Sequence, residues 1–71
     1  MIIARWESKS GKYWVELTRG ESGGVFYNAP SATGSLGRGL TDEEALADMQ
    51  TRVDSGYFLP DAHKTPMRKV T

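Results

Sequence analysis

Leu40-Thr41-Asp42-Glu43-Glu44-Ala45-Leu46-Ala47-Asp48-Met49-Gln50-Thr51-Arg52-Val53-Asp54-Ser55-Gly56 is the stretch that decides the fold. Thr41 followed three residues later by Glu44 fits a capping box, in which each side chain satisfies a backbone amide at the other's position. Leu40 and Ala45 have the spacing of a hydrophobic staple across that cap. Asp42, Glu43 and Glu44 suit the positive end of a helix dipole. Ala45, Leu46, Met49 and Val53 then recur on one stripe, and Gly56 stands where a left-handed terminating residue is expected. The spacing predicts a helix from about residue 42 to about residue 55 with one apolar side.

Such a stripe needs a partner, and the residues before it supply strands. Tyr13-Trp14-Val15-Glu16-Leu17-Thr18 alternates, so that Tyr13, Val15 and Leu17 share the core face while Trp14, Glu16 and Thr18 share the other. Ile2-Ile3-Ala4-Arg5-Trp6-Glu7 is β-branched and aromatic and ends in the turn-forming Ser8-Lys9-Ser10-Gly11. Arg19-Gly20-Glu21-Ser22-Gly23-Gly24 supplies glycines for a second hairpin, and Val25-Phe26-Tyr27 follows as a third strand to about residue 28. Residues 28 to 39 are polar and small, and read as a mobile loop with room for at most a short edge strand near Gly34-Ser35-Leu36. The fold expected is α+β: a three-stranded, at most four-stranded, antiparallel sheet packed on one helix in the order β-β-β-α, as a single domain. Tyr57-Phe58-Leu59 is too apolar to stay in solvent and is expected to pack back. Beyond it, Pro60 and Pro66 interrupt a basic tail running from residue 61 to Thr71.

A chain of 71 residues without cysteine can build one modest core but no disulfide framework and no thiolate zinc site. That leaves little room for a deep substrate cavity, and the expectation is a protein that binds and does not catalyse. No apolar run is long enough to cross a bilayer, and Met1-Ile2-Ile3-Ala4-Arg5 lacks the pattern of a signal peptide, which points to a cytoplasmic protein. The net charge is zero, so bulk positive charge does not hold a nucleic acid. The distribution is uneven, however. Between residues 42 and 61, Asp42, Glu43, Glu44, Asp48, Asp54 and Asp61 face a lone Arg52, while basic residues gather on either side.

Patterns that could carry chemistry are weak. His63 has no second histidine and no cysteine to complete a metal site, and no orienting partner as a general base, so it reads as an exposed tail residue. Glu44 and Asp48 share a helix face, but cap electrostatics explain the carboxylates of the first turn without a metal, and no metal or cofactor is expected. Gly34-Ser35-Leu36-Gly37-Arg38-Gly39 lacks the endings of known phosphate-binding loops. Trp14 is either an interface anchor on the open sheet face or covered by Tyr57-Phe58-Leu59.

Two resemblances follow. Gly11-Lys12-Tyr13-Trp14-Val15-Glu16-Leu17, together with Leu36-Gly37 leading into Leu40-Thr41-Asp42-Glu43-Glu44-Ala45, resembles the AP2 and integrase-arm DNA-binding domains over residues 2–55. That family's three-stranded sheet reads the major groove, which would give Arg5, Lys12, Trp14 and Arg19 a nucleic-acid-binding role on the open face. The second resemblance is one of type: a very short, cysteine-free, near-neutral chain with a small sheet, one helix and an acidic patch resembles phage-encoded accessory proteins, including the anti-CRISPR proteins. Those occupy a surface of a larger protein or nucleoprotein machine in the host cytoplasm. On that reading the partner-binding residues are Trp14, Arg38, Glu43, Glu44 and Asp48, and the protein is a monomer or a weak homodimer that does not engage a membrane.

Overall fold

Alternating burial along the chain builds a sheet with one covered and one open side. The structure, a computed structural model, describes residues 1–30, 32–59 and 66–71. Its elements are β1 (Ile2–Ser8), β2 (Trp14–Arg19), β3 (Val25–Ala29), β4 (Ala32–Gly37), α1 (Asp42–Asp54) and β5 (Met67–Lys69). All pairings are antiparallel, and the strand order is β4-β3-β2-β1-β5. Ala4 and Trp6 of β1, Val15 and Leu17 of β2, and Val25, Tyr27 and Ala29 of β3 point to one side, where they meet Ala45, Met49 and Val53 of α1. A bulge between Ile2 and Ala4 admits Ile3, which packs at the rim of that core.

Both helix ends are closed by the residues that announce them. Glu44 N donates to Thr41 Oγ1 (3.1 Å) and Thr41 N donates to Glu44 Oε1 (2.9 Å), which completes the capping box. At the other end Gly56 turns left-handed (φ 76°), Gly56 N donates to the Val53 carbonyl and Tyr57 N to the Arg52 carbonyl, each at 3.1 Å. This paired closure satisfies carbonyls that the helix leaves free. The turn delivers Phe58 and Leu59 into the covered side, where the Phe58 ring meets Tyr27 edge-on at 5.4 Å.

Two expectations are corrected. The expected loop over residues 28 to 39 is largely strand: β3 continues to Ala29 and β4, Ala32–Gly37, pairs with it, while Arg38 and Gly39 remain in the connection to α1. The small side chains that suggested a loop are what β4 requires, because the Tyr27 ring lies flat over Gly34. A Cβ added there would stand 2.5 Å from the Tyr27 hydroxyl oxygen. The basic tail also contains a strand. Met67, Arg68 and Lys69 pair with Ser8, Glu7 and Trp6, and the chain continues with Val70 N donating to the Arg5 carbonyl (2.7 Å). Pro66 stands just before this strand, where its missing N–H costs no ladder bond. With β5 in place, β1 is an interior strand, consistent with the complete burial of Trp6. Among the described residues the sheet therefore has five strands, two more than the three read with assurance from the sequence.

Candidate interaction surfaces

The outer side of α1 and the uncovered side of the sheet are the two faces that the fold leaves to solvent. On α1 the buried positions Ala45, Met49 and Val53 force Glu43, Glu44, Ala47, Asp48, Thr51 and Asp54 outward, and all six are exposed. Several of the carboxylates also have local duties. Glu44 serves the cap, and the backbone amide of Thr41, then its hydroxyl-side contact, hold the Glu44 carboxyl below the usual carboxylate range. Asp48 accepts from Arg52 Nε (3.4 Å), and Asp54 from Gln50 Nε2 (2.9 Å). The one cation of the helix balances this face only in part: Arg52 pairs with Asp48, and its guanidinium also lies over the Tyr27 and Tyr57 rings, at 5.7 and 5.6 Å from their centroids.

The open side of the sheet has a different character. Arg5 stands between Glu7 and Glu16, donating from Nε to Glu7 (2.9 Å) and from Nη1 to Glu16 (3.0 Å), with its guanidinium 4.9 Å from the Trp14 ring centroid. The hydrogen bond that Arg5 donates to Glu7, and with it the one donated to Glu16, raises the Arg5 pKa above its ordinary value. Trp14 is half-buried under this stack. The Tyr57-Phe58-Leu59 segment lies on the other side of the sheet and does not cover it. The cross-strand register adds Ile2, Thr18, Phe26 and Ser35 in one row, and places Arg68 beside Glu7. Ile2 and Phe26 remain exposed, at 51% and 42%. The face is thus a neutral mosaic of ion pairs and aromatic rings.

Of the four residues assigned to groove reading, Arg5 and Trp14 are where the sequence places them. Arg19 is not. It points to the helix side, where Nε and Nη2 donate to Asp42 Oδ1 (2.9 and 2.7 Å), Nη2 to the Leu40 carbonyl (2.7 Å) and Nη1 to the Gly23 carbonyl (3.0 Å). The physical reason is its parity with Val15 and Leu17, which the sequence alternation already contained. Lys12 lies in the loop before β2, with its ammonium 5.6 Å from the Tyr13 ring centroid, outside the row of Arg5 and Trp14. Of the proposed partner-binding residues, Glu43, Glu44 and Asp48 share the helix face, Arg38 is exposed in the β4–α1 connection, and Trp14 belongs to the opposite side of the molecule. The five do not form one patch. Sequence reasoning missed the exposure of Phe26, although its place between buried Val25 and Tyr27 signals it. It also missed the stacking of Arg52, for which the sequence holds no signal, since Tyr27 comes from a distant strand.

His63 and Asp61 lie outside the described residues. Among the described residues no three His, Cys, Asp or Glu side chains converge on a metal position, and no helix is long and apolar enough to cross a membrane. The fold and these two faces define a small α+β domain whose distinguishing feature is an acidic helix backed by a neutral sheet. The chain matches no protein family, no curated protein and no solved structure in comparisons of sequence and fold.

Proposed function

We propose that this is a non-enzymatic binding protein that blocks or adapts a larger protein or nucleoprotein machine, in the manner of the phage-encoded anti-CRISPR inhibitors. It does so by placing the outer face of α1 on a basic surface in the cytoplasm. The observation that carries this reading is the arrangement of charge on α1: Glu43, Glu44, Asp48 and Asp54 are all exposed, and the single arginine of the helix, stacked on Tyr27 and Tyr57, pairs with Asp48 alone. A rigid row of carboxylates on a capped helix resembles, to a basic surface, the phosphates that such a surface binds. It steers association and competes with nucleic acid.

The open sheet face supports a second reading as an AP2-like nucleic-acid-binding module, because Arg5 and Trp14 stack there in the open. Against it stand the two carboxylates that neutralise Arg5 and the diversion of Arg19 to the helix cap. Titration of the isolated protein with duplex and single-stranded DNA and RNA at low salt separates the two. The acidic-helix reading expects no binding. Binding that falls steeply with salt and is lost in Arg5→Ala and Trp14→Ala would establish the module instead.

A further inference from the structure

Less holds β5 in place than any other strand of the sheet. It runs for 3 residues, Met67–Lys69, and Pro66 in front of it has no N–H with which to lengthen the pairing. Met67 is partly buried against the core, while Arg68, Lys69, Val70 and Thr71 are exposed. Among the described residues no side chain from Met67 to Thr71 makes a hydrogen bond or an ion pair. Glu7, the carboxylate beside Arg68, accepts instead from Arg5 Nε (2.9 Å). What fastens the segment is backbone pairing at the margin of the sheet: Val70 N donates to the Arg5 carbonyl (2.7 Å) and Arg5 N to the Thr71 carbonyl (3.2 Å). The opposite edge strand is secured better, since β4 is 6 residues long and has the Tyr27 ring seated on Gly34.

Few buried apolar contacts and backbone bonds open to water mark an element that detaches at low free energy. From them we infer that Met67–Thr71 is a strap, which opens as one unit while the rest of the fold stays closed and so switches β1 between an interior and an edge strand. Opening frees the Arg5 N–H and C=O, whose partners are Thr71 and Val70, and uncovers the flank of Trp6 that faces Lys69 across the seam. It leaves in place the bond from Trp6 Nε1 to Gln50 and the pairs of Arg5 with Glu7 and Glu16. The four remaining strands and α1 therefore keep the contacts that hold them together. In the closed state the exposed cations Arg68 and Lys69 guard this margin of the sheet, and in the open state β1 presents it without them. The device is independent of the role proposed for α1.

Native-state amide exchange of the full chain, followed over a series of low urea concentrations, tests this. Arg5 and Val70 bond across the β1–β5 seam, and the alternation of an antiparallel ladder places the next bonded pair at Glu7 and Arg68. All four amides should exchange at one common rate, at least about a hundredfold faster than those of Trp6 and Val15, a pair of the β1–β2 ladder. Exchange at the four should depend little on urea, whereas at Trp6 and Val15 it should steepen with it. Met67→Ala, which removes the one partly buried side chain of the strap, should speed the four severalfold more than it speeds Trp6 and Val15. Should that variant fail to fold by circular dichroism, the urea dependence of the wild type decides alone. Rates and urea slopes at the seam equal to those of Trp6 and Val15 would make β5 part of one cooperative unit and overturn the inference. So would graded protection, with Glu7 and Arg68 held while Arg5 and Val70 exchange, since that is fraying from Thr71 and not the opening of a strap.

Discussion

Trp6 and Trp14 lie on adjacent strands, and their contrast shows how much one step of parity decides. Trp6 is fully buried and donates from Nε1 to Gln50 Oε1 (2.9 Å), while Trp14 is half-buried beneath the Arg5 guanidinium. Trp6→Ala should therefore cost about 3–5 kcal/mol in chemical denaturation and come close to unfolding so small a domain. Trp14→Ala should cost about 1 kcal/mol or less, in line with an exposed cation–π pair. Equal losses for the two would mean that the open face is not open. Gly34 offers a test of equal sharpness. Gly34→Ala drives a methyl into the Tyr27 ring, and a loss of about 1–3 kcal/mol is expected from the displaced ring. Gly11→Ala is a poor control, since Gly11 is left-handed at φ 76°. The better one is Thr33→Ala, an exposed substitution on the same strand that should be nearly silent.

The helix and the first three strands were legible because each announces itself locally. The cap, the stripe Ala45–Met49–Val53 and the terminating Gly56 all lie within one segment, and α1 ends within a residue of where they place it. β4 and β5 carry no such announcement. Ala32-Thr33-Gly34-Ser35 has little strand propensity of its own and holds its shape because a ring from β3 fills the space above Gly34. Met67-Arg68-Lys69 is a strand only because β1 needs a partner for its outer edge. The helix cap also links elements distant in sequence, through Arg19. Arg19→Ala should lower stability by about 1–2 kcal/mol, and Arg19→Lys should recover little of it, since an ammonium cannot reach Asp42, Leu40 and Gly23 together. Thr41→Ala should cost about 1 kcal/mol by urea denaturation. Glu44 adds a pH signature. Because its native pKa is lowered, its contribution is complete above the ordinary carboxylate range and disappears as pH falls through the lowered native value. The difference in Tm between wild type and Glu44→Ala should therefore be widest near neutrality and close on acidification. A difference that widens in acid would show that the cap does not depend on the ionised carboxylate.

At the scale of the whole molecule, a sheet with part-exposed ion pairs of its own on one side and a helix of outward carboxylates on the other separates two kinds of surface. The open sheet face is electrically closed on itself, since Arg5 is matched by Glu7 and Glu16 and Arg68 stands beside Glu7. The helix face is matched only at Asp48, by Arg52, and the excess of exposed carboxylates there is why function is placed on it. The same division explains why the sequence suggested both an acidic and a basic reading: charges were visible along the chain, but which carboxylates cancel which arginines depends on strand register. The most direct test is affinity capture of a basic, nucleic-acid-binding protein on the immobilised chain, with duplex DNA as competitor. The account predicts retention that salt and DNA both reverse, that Glu43→Lys with Asp48→Lys abolishes, and that Arg5→Ala with Trp14→Ala leaves intact. Retention unaffected by the helix substitutions but lost with Arg5 and Trp14 would contradict it and move the functional surface to the sheet.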